Sequence, residues 1–307
     1  VDVDRDRLVA RCAFPAPGAP LTCGVSGGAD SLALLVLAVT AGCRVTAVHV
    51  DHRLRPGSAG EADLVAEAAR RYGARFRAVV APVAPGPNLE ARARQARHAV
   101  LGPGVATGHT MDDQAETVLL NLLRGAGTDG LAGMRPGPRH PLLGIRRSET
   151  HALCRVEGLE VLHDPTNEDL RFRRNRVRHE LLPLCEEVAG RDLVPVLCRQ
   201  ARLLADEADL LDALAAEVDP TDARALAGAP MPVARRVVRQ WLRDGDGHPP
   251  DLATVDRVLA VARGDRRAAE LVGGRQVVRS AMRLRLVGPT TRLCLVGPER
   301  GEGATVR

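Results

Sequence analysis

Residues 26–31, Ser-Gly-Gly-Ala-Asp-Ser, join two apolar runs, and that junction restricts the fold more than any other feature of the chain. The run before it, Leu21 to Val25, has the length of a buried strand, and the run after it, Leu32 to Val39, is long enough for a helix. Gly27 and Gly28 carry no side chain, so the backbone between the two elements can approach a ligand closely. A helix starting here turns unbonded N–H groups and a partial positive charge toward that ligand, the usual setting for a phosphate or pyrophosphate. Asp30 is placed to hold Mg²⁺ on the same phosphates. The plainer reading is a tight turn with a helix cap. The string is neither G-x-x-x-x-G-K-[ST] nor G-x-G-x-x-G.

The alternation continues through the first half. Arg44 to Val50 and Phe76 to Val80 read as strands, and Glu61 to Tyr72 reads as a helix ending at Gly73. Asn88 caps a helical run from Leu89 to Leu101, Val105 to Gly108 is a short strand, and a helix follows from about Met111 to Leu123. This rhythm predicts an α/β fold with a doubly wound, mostly parallel sheet. Ligands of such sheets sit beyond the carboxyl ends of the strands. The loops carrying Ser26, Asp51 and His109 all follow predicted strands, so they are expected to converge.

A turn-rich break at Pro136 to Pro141 precedes a helix over Arg146 to Leu159, and the arginine-dense Arg171 to Leu182 runs to Pro183. The domain boundary is expected near residue 188, giving a catalytic domain over 1–187 and a second, mainly helical domain over 188–307. Helical pieces are expected at Arg191 to Val218, Ala223 to Leu226, Pro232 to Arg243 and Asp251 to Arg263. Short strands near Val277, Leu284 to Val287 and Leu293 to Val296 form a small terminal β element.

The formal charge of +5 favours a polyanionic partner. All 43 basic residues are Arg and none is Lys, so cationic contacts to phosphate fall to Arg, helix ends, His or a metal. Aromatic residues make up only 2%, which argues against an RNA surface built on stacking and for one built on phosphate contacts and shape. The seven cysteines form no C-x-x-C pair, so zinc and iron–sulfur spacings are absent. No run is long enough to span a membrane, and nothing at the start reads as a signal peptide. The expected location is the cytoplasm.

Three further strings carry polar groups. Asp51, His52 and Arg55 end the second strand, where turn and cap residues are also ordinary. The string from Thr107 to Thr117 enters a helix with His109, Asp112, Asp113 and Glu116. Asp113 and Glu116 are i,i+3 neighbours on one face and suit an ammonium ion. His109 can donate to phosphate or shuttle a proton. An acidic first turn that satisfies the helix dipole accounts for Asp112 and Asp113 but not for the whole string. Arg124 follows that helix as an ordinary C-terminal cation. Arg171, Arg173, Arg174, Arg176 and Arg178 surround Asn175, as either a solvated helix face or a footprint for RNA or nucleotide phosphate.

Taken together, SGGADS, VDHRLR, NLEARARQAR, ATGHTMDDQAET, LLRGAG, GLAGM, HPLLGIRR, DPTN and RRNRVR resemble the tRNA(Ile)-lysidine synthetases of the ATP pyrophosphatase superfamily, in that family's order over about residues 20–183. The resemblance implies an adenine nucleotide alpha-hydrolase-like fold. It also implies a two-step reaction on isoleucine tRNA with a CAU anticodon. ATP adenylates the C2 carbonyl oxygen of the wobble cytidine, and free L-lysine then displaces AMP. The cofactors implied are ATP and Mg²⁺. By position, Ser26, Gly27, Gly28, Ala29, Asp30, Ser31, Asp51, His52, Arg55, Gly108 and His109 correspond to ATP-binding residues, with Asp30 as the metal ligand. Asp113 and Glu116 correspond to lysine-binding residues. Asp30, His109, Asp112 and Arg178 carry the catalytic assignment, and Arg124, Arg174, Asn175 and Arg178 lie toward tRNA or nucleotide.

His98, His140 and Phe172 stand where the family often has Tyr, Arg and Tyr. Longer members carry a further C-terminal domain that this sequence is not expected to contain. A homodimer is compatible with the resemblance, and the sequence does not fix the oligomeric state. A thiolation enzyme of the same superfamily that uses an iron–sulfur cluster would need clustered cysteines. An amidotransferase-type ligase would need a glutamine-hydrolysing domain. A non-catalytic RNA-binding module would have no use for Asp30 or the HTMDD string.

Overall fold

The computed structural model describes residues 3–51, 53, 58–82, 92, 96, 99–102, 104–243 and 250–288. His52, Arg55, Asn88, His98, most of the helix expected over 89–101 and the strand expected at 293–296 lie outside these residues. The chain forms two compact units, Val1–Ala208 and Asp209–Arg307.

In the first unit, a short helix α1 (Arg5–Val9) precedes β1 (Pro20–Gly24), α2 (Ala29–Thr40), β2 (Arg44–Asp51), α3 (Ser58–Arg71) and β3 (Arg75–Val80). The three strands are parallel in the order β1-β2-β3. On the other flank of β1, Cys23 makes a parallel bridge to Ala106. The expected strand at 105–108 is thus reduced to one bridging residue. The connections therefore step one way from β1 to β3 and then return to the far side of β1. That reversal is a topological switch point at the carboxyl end of β1, the place where ligands of such sheets sit.

The core explains why these segments adopt these states. Ser31 to Ala38 of α2 are buried without a break. A helix that is apolar on all sides has to be enclosed. Here α2 shares a core with Leu21, Cys23, Val45 and Ala47 of the sheet and with Leu153 and Cys154 of helix α5 (Arg147–Val156). Each fully buried leucine contributes about 1.5–3 kcal/mol. Helix α4 (Met111–Leu123) lies between the Ala106 bridge and α5, and a helix α6 over residues 173–189 follows. Within α6, Val177–Leu181 form a π-turn between Arg173–Arg176 and Leu182–Ala189.

Helix α7 (Val194–Ala216) carries the chain from the first unit into the second. The second unit holds α8 (Ala223–Gly228), α9 (Met231–Trp241), α10 (Leu252–Arg263) and an antiparallel sheet of β4 (Ala268–Glu270), β5 (Gln276–Ser280) and β6 (Arg283–Val287). Leu226, Val237, Val238, Val258, Leu259, Val277 and Leu284 form its core. Helix α9 turns Val233, Ala234, Val237 and Val238 inward, while Arg235 pairs with Asp256. The helical and terminal β character expected after residue 188 is present. No helix among the described residues is long and apolar enough to cross a membrane.

One close approach ties α1 to the segment before α5. The Arg11 guanidinium donates to the Gly144 carbonyl at 2.9 and 3.2 Å, and a Cβ on Gly144 would overlap the Arg11 carbonyl oxygen. Because the opposing atom is backbone, it cannot yield as a flexible side chain would. Gly144→Ala is expected to destabilise the first unit by about 1–3 kcal/mol, read as a lower urea midpoint with an unchanged slope.

Candidate active site

The loop after β1 is wired to itself. Ser31 Oγ donates to the Gly28 carbonyl at 2.8 Å and accepts the Ser26 N–H at 3.1 Å. Gly27 takes φ +89°, which favours glycine, and its carbonyl accepts from the Leu162 N–H at 2.9 Å. Gly28 is the N-cap of α2, so the Ala29 and Asp30 N–H groups lack intrahelical acceptors. Gly108, in the loop after Ala106, is needed for closeness: a Cβ there would stand 2.6 Å from the Asp30 carbonyl oxygen and 3.0 Å from the Ser31 nitrogen. The loops expected to converge therefore meet backbone to backbone.

Asp30 sits in the first turn of α2. Its Oδ1 accepts from the Thr150 hydroxyl, and its Oδ2 lies 3.6 Å from Arg147 Nε. Burial raises the Asp30 pKa above the usual carboxylate range, which Thr150 and Arg147 only partly oppose. Among the described residues no group of three or more His, Cys, Asp or Glu could hold a metal. The donor set therefore suits a magnesium ion that takes one carboxylate from Asp30 and its remaining oxygens from phosphate and water. It does not suit a cation caged by protein alone.

Beside Asp30 lies the densest charge constellation of the first unit. The Glu116 side chain is 1% exposed and accepts from three guanidiniums: Arg147 Nη2 at 3.0 Å, Arg174 Nε at 2.8 Å and Arg178 Nε at 2.7 Å. Asp113 Oδ1 accepts from Arg147 and Arg174, both at 2.9 Å, and its Oδ2 accepts from the Thr110 N–H at 2.8 Å. Burial opposes ionisation of Asp113, but Arg147, Arg174 and the Thr110 N–H outweigh it and hold its pKa down at about 2. Asp113 and Glu116 share one helix face, as their spacing implies. They are not an open pair, however, since α5 and α6 have already supplied their counter-charges.

The other expected site residues fall into different surroundings. Asp112 accepts from Arg146 Nη2 at 3.0 Å and from the Arg147 N–H at 2.7 Å, so it anchors the start of α5. The nearest ring nitrogen of His109 is 2.7 Å from Thr107 Oγ1, and its ring meets that of His140 edge-on. Asp51 ends β2 and accepts the Arg53 N–H at 2.8 Å. Asn175 is buried and donates to the Thr166 and Asp169 carbonyls at 2.8 and 2.9 Å, pinning the Asp-Pro-Thr-Asn turn onto α6. Arg124 is exposed as the C-cap of α4, with Asn121 as its contact at 3.5 Å.

Sequence reasoning missed Arg147 and Thr150. A signal was present in HPLLGIRR: two arginines at a helix start oppose the helix dipole. A local rule broken without local compensation points to a role elsewhere.

A PP-loop domain model matches residues 5–185, and a TilS substrate binding domain model matches residues 222–285. The chain is 42% identical to the tRNA(Ile)-lysidine synthase of Nocardia farcinica over 280 residues, covering 85% of this chain and 87% of that protein. It is 48% identical to the enzyme of the same name from Mycolicibacterium paratuberculosis, over 72% of this chain and 73% of that one. Among solved structures, the U34-tRNA thiolase NcsA from Methanococcus maripaludis matches with a TM-score of 0.52 at 19% identity, over 66% of this chain and 78% of that one. That likeness concerns the fold.

The environment of Asp30 disfavours its charged form, so removing the charge relieves the free protein. Asp30→Asn is expected to leave Tm level or raise it, measured by thermal melting without ligand. A clear fall in Tm would mean that the carboxylate serves the fold.

Proposed function

This chain belongs to the tRNA(Ile)-lysidine synthase family, and from that premise we propose how its residues divide the work. The reaction is ATP-dependent ligation of lysine to the wobble cytidine of isoleucine tRNA, a ligase activity of the PP-loop class. We take residues 1–187 as the catalytic part and 188–307 as the part that holds tRNA. The observation that carries the site assignment is the set of three carboxylates and three guanidiniums directly beside the phosphate loop.

Ser26 to Ser31, with Gly108 and His109 from the loop after Ala106, cradle the ATP phosphates against the N-terminus of α2. Asp51, His52 and Arg55 complete the nucleotide side. Asp30 holds Mg²⁺, which when bound neutralises the departing pyrophosphate. A cytosine carbonyl oxygen is a poor leaving group until it is adenylated, which is why the nucleotide acts first.

Free lysine is a zwitterion with an added ammonium, so a site of alternating charge suits it. Asp113 and Glu116 receive ammonium, and Arg174 and Arg178 offer donors to carboxylate or phosphate. Contact with carboxylates keeps an amine protonated, so attack on C2 requires a proton acceptor. We assign that role to His109, whose ring is oriented by Thr107. Asp112 is a positioning residue, acting through Arg146 and the Arg147 N–H. Arg124 and Asn175 stand further out, toward RNA and in support of α6.

The test is transfer of labelled lysine to unmodified CAU-anticodon isoleucine tRNA with ATP and Mg²⁺, against elongator methionine tRNA with the same anticodon. Label on the isoleucine tRNA alone is the expected result. Pyrophosphate released without label would keep the ATP chemistry and remove lysine. Glu116→Gln keeps the shape and removes the charge, so it should raise the lysine KM about tenfold or more with little change in the ATP KM. An unchanged lysine KM would take Glu116 out of the amino-acid site. Because the Asp30 pKa is raised, Mg²⁺–nucleotide affinity should fall in acid at a pH above the usual aspartate range. Asp113 stays ionised over the same range.

A further inference from the structure

Three arginines reach the Asp113 and Glu116 pair, and they differ in what else they can reach. Arg174 and Arg178 come from α6. Arg147 is the first residue of α5, with its N–H fixed by Asp112 at 2.7 Å and its side chain 21% exposed. Its Nη2 donates to both Asp113 at 2.9 Å and Glu116 at 3.0 Å, while its Nε lies 3.6 Å from Asp30 on the phosphate loop. Among the described residues, it is the guanidinium that touches both the nucleotide side and the amino-acid side.

We propose that Arg147 is a positioning residue that couples the two substrates. Nucleotide phosphates draw its guanidinium off Asp113 and Glu116, and the lysine ammonium takes the place it leaves. The proposal rests on the assignment of Asp113 and Glu116 to lysine made above.

Charge argues for the direction of the coupling. Around Asp113 and Glu116 three guanidiniums exceed two carboxylates by one positive charge, offset only by Asp30 at 3.6 Å from Arg147 Nε, and Arg147 fills the place an ammonium would take. With Arg147 withdrawn, the pair and its two remaining arginines are balanced. A nucleotide brings several negative oxygens to the Asp30 loop, and arginine binds phosphate with paired, charge-assisted hydrogen bonds. Departure of Arg147 orphans neither carboxylate. Glu116 keeps Arg174 at 2.8 Å and Arg178 at 2.7 Å, and Asp113 keeps Arg174 at 2.9 Å and the Thr110 N–H at 2.8 Å. Lysine is therefore admitted after the nucleotide, when there is something for its amine to attack.

The experiment is calorimetric titration of the full chain with L-lysine, with unmodified isoleucine tRNA present throughout. It is run with and without Mg²⁺ and α,β-methylene ATP, which cannot be split at the reacting bond. In the wild type the analogue should tighten lysine binding about tenfold or more. By reciprocity lysine should tighten the analogue by the same factor. In Arg147→Met both effects should vanish, with lysine binding the nucleotide-free protein at least as tightly as in wild type. Arg147→Lys, which keeps a cation but lacks the planar fork that pairs with phosphate, should retain only part of the coupling and serves if the first variant fails to fold.

Coupling that persists at full strength in the variants, with lysine weakened equally in both states, would make Arg147 a fixed strut and overturn the proposal. Equal lysine affinities with and without analogue in the wild type would overturn the coupling and leave the lysine site standing. No lysine binding in any state would instead overturn the lysine assignment itself.

Discussion

Glu116 is a full negative charge with its side chain 1% exposed, and the arrangement of the first unit follows from keeping it satisfied. A buried carboxylate costs several kcal/mol of lost hydration unless its lone pairs are filled. Here α5 fills one position and α6 fills the others, through Arg147, Arg174 and Arg178. Those helices lie some 30 and 60 residues downstream of Glu116. The ion cluster thus adds directed contacts to the apolar packing of α4 against α6. Such a cluster is weak evidence for net stability, since a well-packed apolar triad often does as well. It is better understood as fixing geometry: three donors arriving from fixed directions permit one placement of the carboxylate.

The same cluster joins the two halves of the chemistry. The phosphate loop is a local device, built from a strand end, two glycines and a helix start. The carboxylate pair with its arginines is non-local and needs three segments to assemble. Asp112 connects the two levels: by accepting the Arg147 N–H it sets where α5 begins and so where the Arg147 side chain enters the cluster. Thr150, one turn further along α5, reaches the Asp30 carboxylate. Helix α5 is therefore the element that contacts both the glycine loop and the carboxylate pair. Neither string that marks those sites in the sequence lies on it.

That division explains what was legible beforehand. The strand–turn–helix at Ser26 to Ser31, the parallel alternation and the shared face of Asp113 and Glu116 are short-range consequences of residue type and spacing, and all three stand in the structure. The pairing of Asp113 with Arg174, 61 residues apart, has no periodic signature. A carboxylate pair in a sequence looks available until the fold brings its partners. Asn175 gains a structural partner for a related reason. It sits among arginines that suggest phosphate, and its buried Nδ2 donates to the Thr166 and Asp169 carbonyls. The strand expected at 105–108 is a single bridge at Ala106, and the loop after it lies against Asp30.

The absence of Lys from all 307 residues gains a chemical meaning once the reaction is in view. The activated cytidine is made to be attacked by an amine. A protein ammonium held near it, partly deprotonated by its surroundings, would be a competing nucleophile. A guanidinium cannot lose its proton at any pH a protein meets and does not attack. An all-arginine cluster therefore supplies positive charge to Asp113 and Glu116 without adding a side-chain amine. Composition bias is sufficient to account for arginine across the surface. At Arg147, Arg174 and Arg178 the choice has a second justification: each must satisfy carboxylates through several donors at once, which a single ammonium on a flexible stem does poorly.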